Sequence, residues 1–129
     1  MAGPKRILLV DDDEGFNFLN RMILNEVIDN CLVSEALNGD AALKMILNQE
    51  CPEVILLDIN MPGMDGFEFL TEFEKHPECY GYTKIFILTS SLLEEDKINA
   101  LYHKSVVGYF DKPLSDNHIA EIIAKTALQ

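Results

Sequence analysis

Asp58, Asn60 and Gly63 in LLDINMPGMDGFEF (56–69) stand at the first, third and sixth places of a calcium-binding loop. The pattern breaks at its fifth and twelfth places, which fall on Pro62 and Phe69, because neither side chain carries an oxygen. Asp58 has to be read with other polar groups instead. Asp11, Asp12 and Asp13 follow the apolar run RILLV (6–10), Thr89 lies near the end of KIFILTS (84–90), and Lys112 follows VVGYF (106–110) by way of Asp111. Clustered carboxylates beside one lysine suit Mg²⁺, which takes a few carboxylates together with waters and substrate oxygens. In that company Asp58 can act as a nucleophile toward phosphorus. Mg²⁺ and Lys112 would offset charge on the phosphoryl oxygens, and the Thr89 hydroxyl can donate a hydrogen bond to them. Each group also has a plainer reading: DDDE as solvated acid, Lys112 as a loop lysine held extended by Pro113, and Thr89, Ser90 and Ser91 as residues that favour strands or satisfy turns.

The elements that must gather these groups are legible as β-type runs alternating with helical periods. RILLV precedes Phe16, Leu19, Ile23 and Val27, one helical face; CLVSEAL (31–37) precedes Ala42, Met45 and Ile46; EVILLD (53–58) precedes Phe67, Leu70 and Phe73. KIFILTS precedes Ile98, Leu101 and Tyr102, in a helix beginning near Glu94, and VVGYF precedes Ile119, Ile122, Ile123 and Thr126. Three of the strand runs are apolar throughout, as expected where helices cover both faces of a parallel sheet. In an open α/β sheet, sites form past the carboxyl ends of the strands where the strand order reverses. Four of the five strands deliver a polar group to that edge. Met61-Pro62-Gly63-Met64 reads as a tight turn, Asp65 and Glu68 have capping-box spacing, and Asp13 fits a helix N-cap.

With 129 residues, 48% of them hydrophobic and 25% charged, the chain reads as one soluble domain with a real core. A net charge of −12 opposes nucleic-acid binding, which rests on basic patches. No apolar run approaches the roughly 18 residues of a membrane span, and the N-terminus lacks a signal-peptide cleavage site, so the expected location is cytoplasmic. Cys31, Cys51 and Cys79 are odd in number and widely spaced, which predicts unpaired thiols in a reducing compartment rather than a disulfide framework. His76 and Cys79 offer half of a zinc spacing with no second half and read as loop residues within the long connection HPECYGYT (76–83); His103 and His118 read as surface.

LLVDD, LLDINMPGMDG, ILTSS and GYFDKPL, in this order and at these strand ends, make the chain resemble the receiver domain of two-component response regulators over residues 5 to about 127. The resemblance implies an α/β, flavodoxin-like fold. Its doubly wound five-stranded parallel sheet has the order 2-1-3-4-5, flanked by five helices, in a single receiver domain over residues 1–129 with no output domain. Residue by residue it implies Asp58 as phosphoacceptor, Asp11 and Asp12 as the acidic pair holding Mg²⁺, and the Asn60 backbone carbonyl as a further ligand alongside Asp58. It implies Thr89 and Lys112 as the pair gripping the phosphoryl group, Tyr109 as an aromatic that changes rotamer with Thr89 in the switch, and Pro113 as a proline often joined by a cis bond. Self-catalysed loss of the phosphoryl group would be influenced by Asn60 and Ser91; no other enzyme activity is expected. The implied partners are a sensor histidine kinase or histidine phosphotransfer protein and a downstream protein target. The target would be met on the face made by the fourth helix, fifth strand and fifth helix, where Ile98, Leu101 and Tyr102 would contribute. That face would also serve a homodimer. The long connection and ILTSSLLEED resemble stand-alone regulators of the chemotaxis and phytochrome-associated kind.

Two rival readings stand beside this one. A haloacid-dehalogenase-type phosphatase would use Asp11 as nucleophile, Asp13 as acid, a hydroxyl from ILTSS and Lys112, but it leaves DINMPGMDG unused and lacks a late acidic pair. A receiver-like module that binds partners without phosphate is the other.

Overall fold

The apolar strand runs become buried strands because helices close over both of their faces. The structure, a computed structural model, describes residues 1–48 and 51–127. In chain order the elements are β1 (Arg6–Val10), α1 (Glu14–Val27), β2 (Leu32–Ala36), α2 (Gly39–Asn48), β3 (Val54–Leu57), α3 (Gly66–Phe73), α4 (Pro77–Tyr80), β4 (Lys84–Thr89), α5 (Glu94–Tyr102), β5 (Val106–Asp111) and α6 (Asp116–Thr126). The five strands form one parallel sheet in the order β2-β1-β3-β4-β5, as the resemblance implies. Alternate strand residues feed two cores. Leu8, Val10, Ile55, Leu57, Ile85 and Ile87 meet Ala42, Ile46, Phe69, Leu70 and Phe73 on one face. On the other, Ile7, Leu9, Leu56, Phe86 and Leu88 meet Leu24, Ile28, Ile119 and Ile122.

The register sets the upper edge. Val10 pairs with Leu57 and the Asp58 N–H donates to Val10 O at 2.9 Å, so β1 and β3 end level. Thr89 pairs with Asp111, and Lys112 N–H donates to Thr89 O at 2.9 Å, so β4 and β5 do the same. The turn after β3 forms as its residues predict: Gly63 has φ +74°, the conformation a glycine adopts without strain. Gly66 then brings α3 hard against the end of β3, where a Cβ would lie 2.6 Å from Ile59 Cα. Asp65 and Glu68 complete the capping box, and Asp13 caps α1 by accepting from Phe16 N–H at 3.0 Å.

Several expectations are corrected. The described residues form six helices, because HPECYGYT contains the short α4, with Pro77 in its first turn where a missing N–H costs nothing. The expected fourth and fifth helices are therefore α5 and α6. The buried face of α1 is Asn17, Asn20 and Leu24, continued by Ile28, while Leu19 is 53% exposed. Phe16, Ile23 and Val27 of the expected face do pack against the core, partly buried, but its centre is shifted toward Asn17, which is buried for a polar reason: its amide donates to Asp11 O at 2.9 Å.

The cysteine expectation also fails for two of the three residues. Cys51, ahead of β3, and Cys79, in α4, form a disulfide with Cα atoms 5.5 Å apart, because α3 and α4 return the chain to the strand's start. Cys31 is free, and burial, with the charge of Glu53 beside it, pushes its thiol up to about 11. His103 and His118 are half-buried rather than surface residues. His103 Nδ1 lies 3.0 Å from Glu74 Oε1, and Glu74 also accepts from the Ser105 hydroxyl at 2.8 Å. His118 stacks on Phe110 at 4.3 Å and accepts from Ser115 N–H at the start of α6.

Candidate functional site

The level strand ends bring three carboxylates together. Asp11, Asp12 and Asp58 present oxygens that all lie within 4.8 Å of one another. Asp11 and Asp58 are 4% and 6% exposed, whereas Asp12 stands at the surface. Lys112 reaches in from the end of β5, with Nζ 2.7 Å from Asp11 Oδ2 and 3.4 Å from Asp58 Oδ2. The strand ends also supply backbone donors: Asp13 N–H to Asp11 Oδ1 at 2.9 Å and Asn60 N–H to Asp58 Oδ1 at 3.3 Å. Asn60 itself is exposed, directly beyond the strand end.

Burial pushes the Asp11 carboxyl up, and the neighbouring Asp58 charge adds to that, while the Lys112 hydrogen bond and the Asp13 N–H oppose it; the net direction is up. For Lys112 burial acts downward, but the hydrogen bond it donates to Asp11 and the charges of Asp58 and Asp11 outweigh it, so the ammonium is held above its usual range. Both partners of this pair are thus more readily protonated than usual. The causes differ: burial dominates for Asp11, whereas the two carboxylates Asp11 and Asp58 hold the proton on Lys112. An all-oxygen donor set with excess charge, open to solvent at Asp12, fits a hard divalent cation such as Mg²⁺.

Thr89 is fully buried at the end of β4, and its Oγ1 accepts from Ser91 N–H at 3.2 Å. Tyr109 lies on β5 opposite Ile87, with a buried hydroxyl that has no hydrogen-bond partner among the described residues. Burial, then the charges of Asp96 and Asp111, push its phenol up. Lys112 and Pro113 are joined by a cis peptide bond. Asp13 is occupied as the α1 cap, which removes the acid that the phosphatase reading requires.

Three contributors went unrecognised in the sequence. The Phe16 ring covers Lys112 with its centroid 4.4 Å from Nζ, a cation–π contact. Asn17 anchors the Asp11 carbonyl, and Asn20 lies buried one turn further along the same face. The signal was present in Asp13: a cap at that position sets the next helical turn directly over the strand end.

The chain is similar to known proteins in sequence and in fold. A family profile described as response regulator receiver domain matches residues 7–124. The nitrate/nitrite response regulator NarL of Escherichia coli is 31% identical over 124 residues, which is 96% of this chain but 55% of that protein, so the chain spans about half its length. Sporulation initiation phosphotransferase F of Bacillus subtilis is 33% identical over 123 residues, covering 94% of this chain and 92% of its own. Among solved structures, a two-component response regulator from Cytophaga hutchinsonii superposes with TM-score 0.91 at 28% identity, over 98% of this chain and 99% of its own. The Thermotoga maritima response regulator TrrA, solved with Mg²⁺ and BeF, gives TM-score 0.77 at 28% identity over 95% and 98%. The profile spans nearly the whole sheet and the strand-end residues lie within it: the chain belongs to the response regulator receiver domain family.

Proposed function

We propose that this chain is a phosphorylation-controlled switch in a phosphorelay that takes a phosphoryl group from a phosphohistidine donor onto Asp58. The observation that carries the reading is the buried Asp58 carboxylate facing both Lys112 Nζ and the Asp11–Asp12 pair. Asp58 attacks the phosphorus while the bond to the donor imidazole breaks. Asn60 N–H already holds Asp58 Oδ1, which orients the carboxylate for that attack. Lys112, seated between Asp11 and Asp58, is placed to pair with a phosphoryl oxygen, and the Thr89 hydroxyl, whose oxygen accepts from Ser91 in this state, retains its own proton to donate. Asp11, Asp12, Asp58 and the Asn60 carbonyl would hold Mg²⁺, which when bound offsets charge on the phosphoryl oxygens. The Mg²⁺ and BeF in the TrrA structure support the same assignment here.

The signal leaves by the α5–β5–α6 face, where Ile98, Leu101 and Tyr102 are 61%, 46% and 87% exposed. New charge beside Thr89 and Lys112 would draw the turn after β4 inward, and Tyr109, whose hydroxyl is unpartnered, would change position with it. A sensor histidine kinase or histidine phosphotransfer protein is the donor. A downstream protein, or a second copy of the chain, meets the output face. None of the described helices is long and apolar enough to cross a membrane.

Intact mass after incubation with acetyl phosphate, with and without Mg²⁺, tests the assignment on the native chain and Asp58→Asn. One added phosphoryl group that requires both Mg²⁺ and Asp58 is expected. Absence of an adduct, together with no Mg²⁺-dependent beryllofluoride complex, would refute it.

A further inference from the structure

The start of α5 has no side-chain cap. Leu93 holds the N-cap place and makes no such bond. Nor does packing fix the turn from β4, since Leu92 and Leu93 are 95% and 58% exposed and the turn borders an open cleft lined by Lys97, Tyr109 and Asp111. Hydrogen bonds through Ser91 hold it instead. The Ser91 hydroxyl donates to Asp96 Oδ2 at 2.6 Å and accepts from Leu93 N–H at 3.3 Å, while the Ser91 N–H donates to Thr89 Oγ1 at 3.2 Å. A hydroxyl on a carboxylate at that separation is charge-assisted, the strong kind of hydrogen bond. Asp96 therefore fixes the residue that engages the Thr89 oxygen. The buried Tyr109 hydroxyl borders the same cleft as Ser91.

We propose that Asp96 is a positioning residue for phosphoryl capture: through Ser91 it holds the β4–α5 turn, and Thr89 with it, in the resting arrangement, so that loss of its carboxylate favours the arrangement that grips a phosphoryl group. The proposal rests on Asp58 being the acceptor. Deleting one charge-assisted bond present in only one of two states shifts their ratio by about tenfold. The apparent affinity of a ligand for the competent state rises with the fraction of chain in that state.

The test is titration of the full chain with beryllofluoride, a phosphoryl mimic, in the presence of Mg²⁺, followed through backbone amide NMR signals around Thr89. Asp96→Ala and Ser91→Ala should each bind about tenfold more tightly than the native chain. The double variant should gain no more than either single one, because both delete the same bond. Asp96→Asn, which keeps an acceptor oxygen, should fall between native and Asp96→Ala. Glu95→Ala removes a neighbouring first-turn carboxylate without touching Ser91 and should leave the affinity unchanged. A purely structural role would lower the melting temperature of Asp96→Ala without tightening binding, and that result would overturn the role of Asp96 while the acceptor assignment stands. Failure of the native chain to bind beryllofluoride with Mg²⁺ would overturn both.

Discussion

Reduction of the Cys51–Cys79 disulfide should cost the fold a large part of its margin. The bridge closes a loop with a sequence separation of 28 that contains β3, the turn after it and α3. Chain-closure entropy for a loop of that length corresponds to about 3.6 kcal/mol at 25 °C. With an unfolding entropy of about 2.1 cal/mol/K per residue, a chain of this size should lose roughly 13 °C in melting temperature. Circular dichroism melts with and without dithiothreitol measure the shift, and thiol titration of the unfolded, unreduced chain measures the bond. One reactive thiol, Cys31, is expected before reduction and three after. Cys51→Ala separates the cross-link from packing, because Cys79 is the fully buried partner and stays in place; it should melt with the reduced chain. Three thiols before reduction would refute the bridge. A confirmed bridge whose reduction moves the melt by less than about 3 °C would refute the closure argument. Phosphoryl uptake on Asp58 should survive reduction at temperatures well below the melt, since Cys51 and Asp58 lie toward opposite ends of one strand, roughly 20 Å apart.

Further outcomes follow from the site and the helix ends. Asp11 has a raised pKa in the folded chain, so its ionisation there costs stability, and the stability it contributes when protonated is lost as pH rises through that raised value. Melting temperature without Mg²⁺ should therefore fall with rising pH above about pH 4, less so in Asp11→Asn. Lys112 acts in the opposite range: its pairing is fully present below the ordinary lysine value and is lost as pH rises beyond it, so Lys112→Met should flatten the alkaline limb of the same profile. Mg²⁺ should raise the melting temperature of the native chain and not that of Asp12→Asn, as binding to the folded state alone requires. Gly66→Ala, whose Cβ would meet backbone at 2.6 Å, should destabilise by about 2 kcal/mol or more in urea titrations, whereas Gly81→Ala, with nothing within 4 Å, should be neutral or stabilising by up to about 1 kcal/mol. Asp13→Ala removes the α1 cap and should cost about 1 kcal/mol in the same titrations.

The parts legible in the sequence were those written in local chemistry. β3 and the interiors of β1 and β4, beyond their first residues Arg6 and Lys84, are apolar because both faces are covered, and Asp11, Asp58, Thr89 and Lys112 stand where those strands and β5 stop. The Asp65 capping box and the Gly63 turn likewise depend only on neighbours a few residues away. What escaped depends on partners distant in the chain. The buried stripe of α1 carries Asn17 and Asn20, and a hydrophobic period cannot count a residue buried to satisfy a strand-end carbonyl. Cys51 and Cys79 meet only because α3 and α4 double back, and Glu74, at the end of α3, meets His103 and Ser105 in the connection from α5 to β5 about 30 residues later. Ser91 could be placed beside the site by the resemblance, but not its hydrogen bond to Asp96, one helical turn into α5.

The register that levels the strand ends also makes the acidic centre a gauge of completed folding. Its carboxylates arrive with β1 and β3, but their counter-charge, Lys112, arrives only with β5. During synthesis on the ribosome a nascent chain would carry three crowded, unneutralised carboxylates until its last strand had emerged and docked beside β4. The charge balance on which the proposed phosphoryl transfer depends is thus complete only when the whole sheet is.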